Sequence, residues 1–126
     1  MGKLRTLNTF ADHRGNLSVA EKLFEGDIKR VFYIYQVPDG DVVRGEHGHF
    51  KANVGLVCVA GSCRVTVQNE TGETVYFLSD PAECLMLEPA DWHAMDRFSA
   101  NAVLLVLCDA YFDDDDYNYN KPVFIG

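Results

Sequence analysis

The sequence predicts an all-β fold, a small jelly roll (double-stranded β-helix) in one domain spanning residues 1–126. Three observations predict it. Short runs rich in β-branched and aromatic residues recur along the chain, turn-forming residues interrupt them about every 8 to 12 residues, and helical periodicity is absent. Such sequences close as sandwiches or barrels, and two facing antiparallel sheets are the commonest closure.

The first clear strand is IKRVFYIYQV (28–37), ended by the turn PDGD. RGEHGHF (44–50) reads as an extended segment, and VGLVCVAG (54–61), which ends on Gly61, and CRVTVQ (63–68) follow. NETG turns the chain into TVYFL (74–78), then SDPAE, CLMLE (84–88) and PADW give turn, strand and turn. In CRVTVQ and TVYFL the apolar and polar residues alternate, so one face is buried and the other wetter. AVLLVLC (102–108) is apolar on both faces and needs cover from a loop or a partner subunit, which favours a dimer. The tail YFDDDDYNYNKPVFIG lacks the D-x-[DN]-x-[DN]-G spacing of a calcium loop and reads as a solvated acidic segment. Its aromatic residues Tyr111, Phe112, Tyr117, Tyr119 and Phe124 are expected to pack it onto the barrel.

Composition excludes several classes of function. A net charge of −8 argues against general binding to nucleic acid or to an anionic membrane, so an anionic ligand requires a local basic pocket. No apolar stretch approaches the roughly 18 residues of a membrane span. The four cysteines, Cys58, Cys63, Cys84 and Cys108, show no C-x-x-C spacing, and the N-terminus has no signal-peptide core. A reduced, cytoplasmic protein is expected. The opening MGKLRT fits a loose myristoylation pattern, but the pattern is short and carries little weight.

The chemistry is concentrated in RGEHGHF. On a strand, residues two apart share a face, so His47 and His49 project together while Gly48 points away. Tyr33 and Tyr35, also two apart, sit on a strand expected to lie nearby. Two imidazoles can hold part of a metal site, can move protons at neutral pH, or can simply occupy a wetter strand face.

The stretch 44–61 resembles the first cupin motif, G-x5-H-x-H-x3,4-E-x6-G, with Gly61 as its closing glycine. Val54 then stands where the motif has its glutamate ligand. In the second motif, P-x-G-x2-H, Pro89 is present, Asp91 replaces the glycine and Ala94 takes the place of the last ligand. His93 lies one residue off, which would turn it to the opposite face. Only half of the metal site remains, and a metal-free proton-transfer pair is favoured.

DHRGNLSVAE (12–21), IKRVFYIYQVPDG (28–40), RGEHGHFKA (44–52), VCVAGSCRVTV (57–67) and the stretch 87–117 together resemble the nucleotide-sugar 3,4-ketoisomerases of the cupin class. The final Phe124 belongs to the same match. The resemblance implies isomerisation of a dTDP-linked 4-keto-6-deoxyglucose to a 3-keto-6-deoxyhexose for bacterial surface polysaccharides, with no cofactor and no metal. It also implies a homodimer exchanging N-terminal strands. By position it implies His47, His49 and Tyr33 as catalytic groups, with Arg14, Arg44, His13, Tyr35 and Trp92 as substrate contacts. The arginines suit a diphosphate and the tryptophan a stacked ring. Three departures affect specificity: His13 replaces a usual tyrosine, Gly48 a usual alanine, and the segment after Tyr117 lacks an expected arginine. A metal-dependent cupin enzyme and a non-catalytic nucleotide-sugar-binding cupin are the competing readings.

Overall fold

A computed structural model describes residues 1–123. The first three strands are β1 (Lys3–Thr6), β2 (Asn8–Asp12) and β3 (Gly15–Val19). They are followed by β4 (Arg30–Tyr35), β5 (Arg44–His49), β6 (Val54–Ala60), β7 (Cys63–Asn69) and β8 (Gly72–Leu78). β9 (Glu83–Leu87), β10 (Trp92–Asp96) and β11 (Val103–Cys108) complete the body, and a 3₁₀ turn (Asp114–Asp116) leads into β12 (Tyr117–Asn118). No helix among the described residues is long and apolar enough to cross a membrane.

Two five-stranded antiparallel sheets form, in the orders β1-β9-β6-β11-β4 and β12-β5-β10-β7-β8, with β2 and β3 as a separate hairpin. This is the expected all-β jelly roll. Alternation decides what lies between the sheets: Leu56 and Cys58 of β6, Val65 and Val67 of β7, Leu85 and Leu87 of β9, and Leu104 and Val106 of β11 share one buried cluster. The four cysteines are free thiols, and all are buried.

The doubly apolar strand β11 is explained within one chain. Its other face meets a second cluster, in which Leu107 packs with Leu7, Leu23, Val57 and Cys84, joined by Ala20, Phe24 and Ile28 of the N-terminal segment. That segment supplies the cover, so β11 by itself does not require a partner subunit.

The sequence left no strand at Trp92–Asp96, because WHAMD lacks β-branched residues and follows a turn. Pairing on both sides makes it a central strand, with Trp92↔Gln68 through Asp96↔Arg64 on β7 and His93↔His47 on β5. The tail is also less packed than expected: Tyr111, Phe112 and Tyr119 are exposed, and Tyr117 alone of the described tail aromatics is largely covered. Phe124 lies outside the described residues.

The tight β6–β7 connection depends on Gly61. Its φ of +65° is left-handed, and an added Cβ would lie 2.3 Å from Ser99 Oγ and 2.8 Å from Ala102 Cα. The backbone conformation alone costs a non-glycine residue about 1–3 kcal/mol. Gly61→Ala is therefore expected to lower stability by at least that amount, and a Tm or denaturant midpoint equal to that of the unsubstituted protein would refute this account.

Candidate active site

At one end of the barrel a cavity of about 200 Å³ opens between the sheets. Phe32, Ile34, Val54, Leu56 and Val106 make its apolar wall, and Arg44, His47, His49, His93 and Tyr117 supply the polar groups.

The local cause is a bulge in β5. β10 pairs His93 with His47 but Ala94 with Gly45, so Glu46 is an extra residue on the β5 side. Gly45 and Glu46 both adopt positive φ, +83° and +59°. Simple alternation would put Arg44 on the face opposite His47. The extra residue resets the phase, and Arg44 lines the cavity with the two histidines.

His47 and His49 do share a face, with ring centroids 5.1 Å apart and planes at 89°. Gly48 between them is a close-approach position, since a Cβ there would come within 3.1 Å of the Asp91 carbonyl oxygen. The glycine draws β5 against the start of β10 rather than loosening it.

His93 corrects the expectation from motif counting. It sits directly across from both His47 and Val67, so its side chain points inward with theirs, while Ala94 turns outward beside Thr66. His93 is 3% exposed, and its ring centroid lies 4.8 Å from that of His47 and 6.3 Å from that of His49. Three imidazoles therefore meet. Among the described residues, however, no three histidine, cysteine or carboxylate side chains are arranged to hold a metal ion.

Several expected site residues lie elsewhere in a single chain. Phe32 and Ile34 take the inward positions of β4, which turns Tyr33 and Tyr35 to the outer face; Tyr33 is 60% exposed. Trp92 alternates with His93 and faces outward, buried under the tail with Lys121 Nζ 5.4 Å from its ring centroid. It packs the tail and does not line the cavity. His13 and Arg14 occupy the turn between β2 and β3, where Arg14 pairs with Asp12 at 2.6 Å in solvent. Of the expected substrate contacts, Arg44 alone lines this cavity within one chain.

The structure adds groups that residue types did not single out. Tyr117 of β12 pairs with His49, and its ring centroid is 4.8 Å from that of His47 and 4.9 Å from that of His49. Its hydroxyl accepts a hydrogen bond from Arg30 Nη1 at 3.3 Å, while Arg30 Nη2 lies 3.5 Å from Cys108 Sγ. Phe32 and Phe112 flank that guanidinium at 5.1 and 5.6 Å. Asp116 is buried beside His49, with its Oδ2 3.2 Å from Nδ1. The Asp-Tyr pair was visible in the sequence but sat in a charged tail, and nothing local marked it as cavity-facing.

Burial fixes the charge state. It lowers the pKa of His47, with Arg30 adding to the effect, against a hydrogen bond that the ring N–H donates to the Gly45 backbone carbonyl. It lowers His49 as well, helped by His47 and Arg30 and opposed by Asp116. His93, fully enclosed, is pushed down to about 3 by burial and then by the other two histidines. All three rings are neutral at pH 7. In such a cavity neutral imidazoles can take up and return protons at neutral pH.

The whole chain from residue 2 to 126 matches the family model FdtA: WxcM-like, C-terminal. A TDP-4-oxo-6-deoxy-alpha-D-glucose-3,4-oxoisomerase from Aneurinibacillus thermoaerophilus is 38% identical over 117 residues, covering 91% of this chain and 84% of the relative. The 3,4-ketoisomerase QdtA from Thermoanaerobacterium thermosaccharolyticum, solved as a mutant with TDP-4-keto-6-deoxyglucose, superposes with a TM-score of 0.89 at 36% identity. That superposition covers 94% of this chain and 87% of the QdtA chain. A TDP-quinovose 3,4-ketoisomerase from Campylobacter jejuni gives 0.88 at 31% identity, covering 94% and 92%. By the match along its length and by these relatives, the chain belongs to the FdtA family of WxcM-like sugar-nucleotide 3,4-ketoisomerases.

Proposed function

We propose that the protein isomerises dTDP-4-keto-6-deoxyglucose to a dTDP-3-keto-6-deoxyhexose by proton transfer within this cavity. The observation that carries the reading is the facing pair His47 and His49, neutral and closed in with a phenol. The carbonyl at C4 of such a sugar acidifies the proton on C3. His47 removes it, the electron pair forms the C3–C4 double bond of an enediol, and His47 returns a proton to C4. His49 takes the hydroxyl proton from O3 and delivers one to O4. One hydrogen moves between carbons and one between oxygens, so no electrons leave the sugar and no redox cofactor is called for.

Tyr117 takes the role that the sequence gave to Tyr33. Arg30 donates to its oxygen, so the phenolic proton is free to point at an oxyanion on the sugar. A preorganised donor of that kind, in a site shielded from water, is worth about 2.7–4 kcal/mol of transition-state stabilisation.

The anionic diphosphate needs more cation than Arg44 offers. The β2–β3 hairpin is a two-stranded sheet with Phe10 and Leu17 paired across it, 66% and 60% exposed. Such hairpins are marginal alone in water. Docked on a second copy, as in the exchanged dimer that we propose, the hairpin buries that surface and brings Arg14 and His13 to the partner's site. Val31, Tyr33 and Tyr35 offer an apolar outer face on β4 for it. The cytoplasm suits this enzyme, whose four thiols are free, and the product serves deoxy- and amino-sugar synthesis for surface polysaccharides.

A metal-dependent reading draws on the third histidine. Against it, Val54 stands in the glutamate position and lines the cavity as an apolar wall. The protein is expected to keep full activity after exhaustive chelation, and a loss restored by one divalent ion would favour the metal-dependent enzyme.

Incubation with the keto sugar in deuterated water, followed by NMR, should show deuterium at C3 of the substrate or C4 of a 3-keto product. Binding without exchange would leave a sugar-nucleotide-binding module. His47→Asn and His49→Asn are each expected to slow turnover by about 10²- to 10⁴-fold while the fold persists. The pH dependence follows from the lowered histidines. Because the active form is neutral and its pKa lies below the ordinary 6.5, kcat/KM should hold as pH falls through 6.5 and drop only below it. Arg30→Gln removes a cation that lowers both groups, so the acid limb should move up toward 6.5; an unmoved limb would contradict this electrostatic account.

A further inference from the structure

The four-aspartate run is a built structural element rather than a solvated strap. Asp113 caps the 3₁₀ turn, its side chain accepting from the Asp115 N–H at 3.0 Å, and the Asp116 N–H donates to the Asp113 carbonyl at 3.0 Å. Asp113, Asp114 and Asp115 stay in solvent, and Asp116 alone is turned inward and buried. The Asp116 carbonyl accepts from the Phe50 N–H at 3.1 Å, which ties the turn to the residue that follows the histidine pair.

The Asp116 carboxylate is surrounded by donors. Its Oδ1 accepts from the Lys51 N–H at 2.7 Å, and its Oδ2 accepts from the Ala52 N–H at 3.3 Å while facing His49 Nδ1 at 3.2 Å. Backbone N–H groups can only donate, so the two oxygens act as acceptors throughout. The proton between Asp116 and His49 then resides on Nδ1, and the lone pair of the neutral ring is on Nε2, at the edge away from the carboxylate.

We infer that Asp116 is a positioning residue, which holds His49 in the Nδ1–H form and stabilises the imidazolium formed each time Nε2 carries a proton between the sugar oxygens. This role rests on the ketoisomerase reading above; the tautomer itself does not. His47 lies in the same cavity with no carboxylate partner among the described residues, and its ring neighbours are His49, His93, Tyr117 and Tyr119. The two histidines therefore differ in kind. His49 has a fixed counter-charge suited to repeated proton exchange with oxygen, and His47 is left as a low-polarity base suited to a carbon acid.

The groups that bear on His49 come from four strands: His47 on β5, His93 on β10, Arg30 on β4 and Tyr117 on β12. His47 and His93 are neutral at pH 7 and Arg30 is a cation. Asp116 is thus the carboxylate that offsets a positive ring, and its removal should act on the charged intermediate more than on substrate binding.

Nitrogen-15 and proton NMR of the histidine side chains in the substrate-free protein at neutral pH tests the assignment directly. His49 is expected with its proton on Nδ1, and a dominant Nε2–H form would overturn the inference. In Asp116→Asn the amide oxygen still accepts from the Lys51 N–H and the amide NH2 faces His49 Nδ1, so the expected result is a folded protein in which His49 shifts to the Nε2–H tautomer. Its kcat should fall about 10²- to 10⁴-fold with KM changed only a few-fold. Wild-type kcat, or a fall carried mainly by KM, would count against the inference. If the variant does not fold, the wild-type tautomer still decides. If the unsubstituted protein fails to turn over the keto sugar, the proposed function falls, whereas the NMR result stands or falls separately.

Discussion

The single extra residue in β5 is the constraint on which the site depends. Without it, strand alternation would send Arg44 away from the histidines and would shift every partner of β10 by one position. With it, His47 and His93 face one another across a ladder while Gly45 passes close under Met95, whose sulfur lies 2.8 Å from where a Cβ would stand. Positive φ at two consecutive positions is a local cost, of the order of 1–3 kcal/mol for the non-glycine Glu46. The surrounding pairs, five on the β7 side of β10, hold the segment against that cost. Strain at a barrel rim re-aims side chains, and here it gathers them.

Once gathered, the imidazoles are governed by solvation. Ile34, Val54, Leu56 and Val106 provide no polar partner, so a charged ring there loses water without compensation. Burial is the leading cause of the lowered pKa at all three histidines, and the neighbouring rings add to it at His49 and His93. His93 is the extreme, and its Nδ1 has no hydrogen-bond partner among the described residues. It remains neutral beneath the pair and contributes shape and polarity, whereas His47 and His49 sit where protons can reach them. The apolar wall thus keeps the imidazoles unprotonated, in the form that can accept a proton, at neutral pH and makes one buried carboxylate count.

The fold was legible because its signal is dense. Each body strand from β6 to β9 carries alternating or continuous apolar residues bounded by turn formers, and the glycine at 61 marks its hairpin without ambiguity. The site was legible in part. Spacing alone put His47 and His49 on one face, but spacing says which residues share a face and not which face is inward. Tyr33 and Tyr35 satisfied the same arithmetic and point outward, because Phe32 and Ile34 fill the core positions between them. Counting from Pro89 misplaced His93, since its inward face is set by the register with Val67 on β7 and His47 on β5, and pairing across strands has no signature in the spacing from Pro89. Asp116 was hidden in a run whose other members are solvated, and its burial follows from a capped turn that charge composition cannot reveal.

One chain by itself leaves the electrostatics unfinished. The protein carries a net charge of −8, which repels a nucleoside diphosphate at long range, and within one chain the cavity offers Arg44 at its lining with Arg30 engaged by Tyr117. Arg14 has a guanidinium suited to phosphate, yet in a single chain it is occupied by Asp12 and held in solvent at a hairpin tip. The same hairpin exposes Phe10 and Leu17, and β4 exposes Val31, Tyr33 and Tyr35. A fully exposed ion pair such as Arg14–Asp12 is worth little in water and is easily exchanged for a buried phosphate contact. Two deficits, an uncovered apolar hairpin and an under-charged ligand site, are removed by one event if the hairpin of each subunit closes on the other. In that arrangement the hydrophobic surface supplies the affinity of the dimer, and the arginine it carries supplies the specificity of the site.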